Sequence, residues 1–133
     1  DNIGYNKDFN NFELQDAIRR KDVVKANRII NYFAQNPRDH PIVLTITSLY
    51  FFFSKVLLFH FLKDKSKENV AGKLQIRPFF VKDFEYAAKR YPIKKVVNII
   101  SILRQYDMKS KGLGNVSTSS GGLLKELIFK IIH

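Results

Sequence analysis

The 133-residue chain contains no cysteine, which excludes disulfides and thiolate metal sites and fits a reducing compartment. Cytoplasm is the expected location. No charged-then-apolar leader and no internal repeats are expected from these residues, which offer little strand-like patterning. Acidic residues are scarce: 12 Asp and Glu stand against 23 Lys and Arg, a formal net charge of +11. Such an excess invites a nucleic-acid reading, so where the charges fall matters more than how many there are. They are spread. Arg19, Arg20 and Lys21 close one expected helix, Lys63, Lys65 and Lys67 sit in a loop, Lys89 and Arg90 close another helix, and Lys109 and Lys111 a further one. Cations near helix C-termini complement the macrodipole, a structural reason for most of these positions. A solvated basic surface accounts for them as well as a phosphate track does.

Catalytic and metal-binding constellations are missing too. His40, His60 and His133 lie far apart, and none stands at i+3 or i+4 from another histidine. The Gly-containing segment KSKGLGN, Lys109 to Asn115, follows a helix rather than a strand and lacks the Gly-Lys-Ser/Thr ending that holds phosphate and magnesium. It reads as a helix stop. Asp107 and Lys111 are spaced to pair on that last helical turn, a structural contact. No cofactor, no metal and no enzymatic activity are expected of this domain.

What the chain does have is helical periodicity nearly throughout. At this length it is one domain's worth of chain, able to bury about two thirds of its unfolded surface. The opening DNIGYNKDFNN, residues 1–11, reads as a linker from preceding domains, and residues 12–133 as one helical domain. Phe12 to Arg20 follows a candidate Asn11 cap, and Asp22 caps Val23 to Gln35, whose apolar side is Val24, Ala26, Ile29, Ile30 and Phe33. Pro41 opens the longest apolar run, Ile42 to Leu62. That run is long enough to span a bilayer, but Lys55 and His60 oppose insertion, the lysine by about 2.5 to 3.5 kcal/mol. Its neighbours are amphipathic, so the run is expected to be the apolar spine of an all-α bundle of five to seven helices. Pro92 opens a long helix to Lys111, and Gly122 to His133 forms the last. The loop between them, Asn115 to Gly121, is Ser-rich and expected to be mobile.

The densest segment is NVAGKLQIRPFFVKDFEYAAKRY, from Asn69 to Tyr91. Ser66 can cap a helix through Leu74, Gln75 to Arg77 form a corner, and Pro78 supplies a preset φ for the next helix. Ala71, Ile76 and Val81 match the small residue and buried aliphatics of a DNA-binding helix-turn-helix. With Val81, Phe84 and Ala88 inward, however, the outer face would offer Phe79, Lys82, Asp83 and Tyr86 to DNA. Phe79 cannot hydrogen-bond a base edge, and Asp83 is repelled by phosphates. Gln75 also stands where such turns usually carry glycine. Protein packing is the preferred reading of the corner, and a basic helix-turn-helix binder of nucleic acid the alternative.

In order along the chain, FELQDAI, DVVKANRII, IRPFFVKDFEYAAKRY, LRQYDMKSKG and LLKELIFKII resemble the C-terminal domain of the bacterial DNA polymerase III delta subunit, over roughly Phe9 to Ile132. The resemblance implies a helical collar domain that joins a ring of clamp-loader subunits, delta prime and gamma/tau type, in DNA replication. DNA and the sliding clamp would be contacted through the rest of the full-length protein, and no membrane is involved. Delta is not the ATPase of that family, so no catalytic residues carry over. The aromatic run Tyr50 to Phe53 departs from the pattern. The partner surface is expected on the two last helices, whose apolar stripes are wider than one core face requires, with Ile99 and Ile102 on the first and Leu127 and Ile131 on the second.

Overall fold

The computed structural model describes residues 9–113 and 118–133. Among these the chain is entirely helical, as expected. The α-helices are α1 (Asn11–Arg19), α2 (Val23–Gln35), α3 (Ile42–Phe61), α4 (Lys67–Leu74), α5 (Val81–Arg90), α6 (Ile93–Ser110) and α7 (Ser120–Ile132), with a 3-10 turn at Pro78–Phe80 before α5. The expected linker at residues 1–8, and positions 114–117 including part of the expected Ser-rich loop, lie outside the described residues. Phe9 to Asn11, assigned to the linker, belong to the fold instead. Phe9 meets Tyr32 edge-on at 5.9 Å, Asn10 caps α1, and Asn11 is its first residue.

Local chemistry sets most of the boundaries. Asn10 and Asp22 accept hydrogen bonds from the backbone N–H groups of Glu13 (2.9 Å) and Lys25 (3.1 Å), and the Ser119 hydroxyl accepts from Gly122 (3.1 Å). The α1 cap is thus one residue earlier than the expected Asn11. Asn11 has another use: its side-chain oxygen accepts from the hydroxyl of buried Thr45 on α3 at 3.2 Å. Ser66 precedes α4, but its hydroxyl makes no cap bond. Its backbone N–H instead donates to Asp64 at 2.9 Å, which holds that carboxyl below its usual range. At the end of α6, Gly112 takes φ +88°, and the N–H groups of Gly112 and Leu113 reach the carbonyls of Lys109 and Met108, each at 3.0 Å. Lys111 pairs with Asp107 at 3.0 Å, as the spacing predicts.

The helices pack as a closed circuit. α1 lies on α2, α2 on α7, α7 on α6, α6 on α3 and α3 back on α1, with α5 covering α1 and α3 and α4 set against α3 and α5. α2 and α7 approach closely because Gly121 lacks a side chain; a methyl there would come to 3.0 Å from the Ala34 Cβ. The core inside the circuit holds Leu14, Ile18, Ile29, Phe33, Phe53, Val56, Ile99, Leu103, Leu127 and Ile131, all sealed from solvent.

One residue ties α1 and α3 to the turn between α5 and α6. Tyr91, in the turn between α5 and α6, is fully buried, and its hydroxyl donates to the Ile18 carbonyl at 2.6 Å. The His60 Nε2–H on α3 donates to the Tyr91 carbonyl at 2.8 Å, the Tyr91 ring meets Phe53 edge-on at 5.2 Å, and the Lys21 ammonium lies 4.7 Å from the ring centre. Burial pushes the phenol above its ordinary value near 10. A phenol raised on folding keeps its proton to higher pH in the native state than in the unfolded one, so its stabilisation is complete below pH 10 and declines above it. Tyr91→Phe should lower stability by about 1 kcal/mol at neutral pH. It should also flatten the loss of stability above pH 10, seen by comparing urea midpoints of parent and variant from pH 8 to 11. Parallel pH profiles would exclude the buried phenol as the source.

Leu57 is only half-buried at the rim of this core, whereas Val56 is sealed in it. Val56→Asp therefore buries an unpaired carboxylate at a cost of several kcal/mol, comparable to the whole stability of a domain of this size. Circular dichroism should show Val56→Asp unfolded at 25 °C and Leu57→Asp folded with a lowered melting temperature.

Candidate interaction surface on the long apolar helix

α3 meets α1, α4, α5, α6 and α7, which agrees with a bundle organised around it, yet one side of it is left uncovered. It is long and apolar enough by length and composition to cross a membrane, but 44% of an 18-residue stretch of it is buried inside the bundle. Ile42, Thr45, Ile46, Leu49, Phe52, Phe53, Val56 and Phe59 form the buried side. Leu44 (57% exposed), Phe51 (59%) and Leu58 (40%) stand on the open side, one every seven residues, with half-buried Ser48 and Lys55 interleaved. The successive positions 44, 48, 51, 55 and 58 are 3.5 residues apart on average, the spacing of a seam that meets another helix. The aromatic run is thereby divided: Phe52 and Phe53 face the core, Tyr50 packs at its margin, and Phe51 faces out.

Beside this seam, α1, α3, α5 and the 3-10 turn enclose a depression of about 500 Å³. Phe52 and Phe84, rings 5.4 Å apart, form its floor. The exposed rings of Phe12, Phe51 and Phe80 form its walls, and Lys55 and Arg19 bring positive charge to it. Arg19 is engaged: it pairs with Asp16 and reaches Asp83 at 3.4 Å. Asp16 also meets Arg20 at 3.3 Å and Lys25 at 4.0 Å. Lys55 has no carboxylate within ion-pair distance among the described residues. Exposed phenyl groups gathered at one depression signal an interaction site more strongly than single exposed apolar residues do.

The four residues expected to form a partner surface on the last two helices are not exposed. Ile99, Leu127 and Ile131 are 0% exposed, and Ile102 is half-buried and packed against the core. The wide stripes of α6 and α7 have a different cause: each helix faces two neighbours, α6 lying between α3 and α7, and α7 between α2 and α6. Two packing directions require a broader apolar arc than one.

The corner has the geometry of a tight turn without glycine. Gln75 takes the left-handed conformation itself, at φ +57° and ψ +50°, and the Ile76 N–H closes onto the Ala71 carbonyl at 3.0 Å. Ala71 and Val81 are buried and Ile76 half-buried, as the helix-turn-helix pattern demands. Val81, Phe84 and Ala88 face inward as expected. On the outside, Phe79 is 81% exposed and Lys82 is free to solvent, while Asp83 is held by Arg19. The Arg90 guanidinium lies 3.4 Å from the Tyr86 ring centre. A bare phenyl and an arginine-bound aspartate offer no base-edge readout.

His40 stacks on Phe33 at 4.2 Å, His60 is committed to Tyr91, and His133 lies against Phe129 at the end of α7. Among the described residues no group of three or more His, Asp or Glu side chains is placed to hold a metal ion. Comparison with family models, curated proteins and solved structures finds no match.

These burials separate core from surface by a direct measurement. Ile99→Lys and Leu127→Lys should each abolish cooperative melting, because a lysine there is buried without a partner. Phe51→Lys should melt within about 0.5 kcal/mol of the parent. A folded Leu127→Lys protein would contradict the packing of α7.

Proposed function

We propose that this domain is an assembly module, a clamp-loader collar similar to the C-terminal domain of the DNA polymerase III delta subunit. It would join delta prime and gamma/tau type subunits while the rest of the full-length protein reaches DNA and the sliding clamp. The observation that carries the reading is the open apolar side of α3 with its wall of phenyl rings. A helix whose apolar face is left uncovered stabilises an assembly by burying that face against a neighbour. The ordered sequence resemblance from Phe9 to Ile132 supports it and supplies the identity of the neighbours. Its role is oligomerisation, with no substrate and no cofactor, and cytoplasmic location follows from the same resemblance.

A nucleic-acid reading has one observation in its favour. Tyr91 brings Lys21 and His60 together, with Lys89, Arg90, Lys94 and Lys95 near it in sequence. Salt separates the two. Binding through an apolar face changes little between 0.05 and 0.2 M salt, whereas six to ten phosphate contacts lose a factor of about 10³ to 10⁵ over that range. The purified chain should therefore capture gamma/tau and delta prime type subunits in a pull-down that persists as salt rises. Failure to capture either subunit, together with duplex DNA binding that collapses in salt, would replace the collar reading with the nucleic-acid one.

A further inference from the structure

We propose that the open seam of α3 is the docking face for a helix of a partner protein bearing aliphatic residues at about 3.5-residue spacing and one carboxylate set opposite Lys55. This rests on the assembly reading and specifies the chemistry of the neighbour. The seam from Leu44 to Leu58 runs about 21 Å at 1.5 Å per residue, enough to seat roughly four turns of a second helix. Leu44, Phe51 and Leu58 supply its apolar contacts, and the depression beside Phe51 receives a large side chain from the partner.

Charge identifies the occupant. The two acids lining the depression, Asp16 and Asp83, are both engaged by Arg19, which leaves Lys55 the cation there without an acidic partner among the described residues. Lys55 is half-buried in the centre of the seam, between Phe51 and Leu58. Covering it with an apolar helix would strand its charge; covering it with a carboxylate makes a desolvated pair. A single polar residue in an otherwise apolar seam selects register and partner more than it adds affinity.

Two other occupants fit less well. A second copy of this chain carries the same +11 charge and no acid on its own seam, so the two faces repel. A bilayer is flat, whereas Phe12, Phe51 and Phe80 wall a concave site that suits a protruding side chain.

The test uses two synthetic helical peptides about 24 residues long, alike in their leucine seam but with Glu or Lys at its central position, titrated into the labelled chain by fluorescence anisotropy. The Glu peptide should bind the parent at least about tenfold tighter than the Lys peptide, and Lys55→Glu should invert that order although the chain stays strongly basic. Phe51→Ser and Leu58→Ser, both at exposed positions, should weaken both peptides about tenfold or more with melting unchanged. An order that Lys55→Glu leaves unaltered would mean general attraction to acid, and overturns the proposal. So does Phe51-dependent binding to phosphatidylcholine vesicles or Phe51-dependent self-association in sedimentation, which would give the face to lipid or to a second copy. Clamp-loader subunits that still bind Phe51→Ser as tightly as the parent sink the seam and spare the collar reading. A seam that passes the peptide test in a chain that captures no such subunit does the reverse.

Discussion

Tyr91 is the constraint on which the arrangement of helices depends. Short loops allow α1, α3, α5 and α6 to meet in several ways, because apolar faces slide past one another at little cost. Hydrogen bonds do not slide. The Tyr91 hydroxyl on Ile18 and the His60 nitrogen on the Tyr91 carbonyl require α1, α3 and the α5–α6 turn to meet at one point, with Phe53 against the ring. A buried hydroxyl without its acceptor is expensive, so arrangements that leave it unpaired are excluded. The Ile18 carbonyl it uses also accepts the Lys21 N–H at the end of α1, which ties the hub to the left-handed turn into α2.

Fixing those helices determines which part of α3 is covered. α5 and α6 occupy two sides and α1 touches a third, leaving the direction of Leu44, Phe51 and Leu58 without a neighbour. An isolated domain gains nothing from aliphatic and aromatic groups in water, and their regular seven-residue recurrence on one helix is the pattern expected where a second helix packs. The openness of α3 and the burial of Ile99, Leu127 and Ile131 on α6 and α7 are therefore two results of the same packing. The circuit closes through α6 and α7, and the outer side of α3 is left uncovered.

Signals that act over a few residues were legible in the sequence. Asp22 as a cap, Gly112 as a stop, the Asp107–Lys111 pair and the proline-led start of α5 all depend on neighbours in the chain, and the structure has them where the residues point. The all-helical class was legible too, because apolar periodicity recurs along the chain. What periodicity cannot provide is the number of neighbours a helix will have. The broad stripes of α6 and α7 look the same whether one side meets a partner protein or both meet the same domain; Ile99, Leu127 and Ile131 prove to be core. The nearly all-round apolar α3 hid its open side for the opposite reason. Gln75 shows another limit: glycine favours the left-handed turn, but a turn held by the Ile76–Ala71 bond and by buried neighbours forms with glutamine in its place.

Lys55 joins these points. In the sequence it counts against a membrane span, since a lysine within an apolar helix opposes insertion. In the fold it lies on the open side, where its stem adds to the apolar surface and its ammonium reaches water. A position of that kind tolerates solvent or a carboxylate but not a purely apolar cover. A partner that buries the seam must therefore answer the charge as well as the shape. Aliphatic contacts would supply most of the affinity, and the single cation would determine which helix is accepted, and in which register.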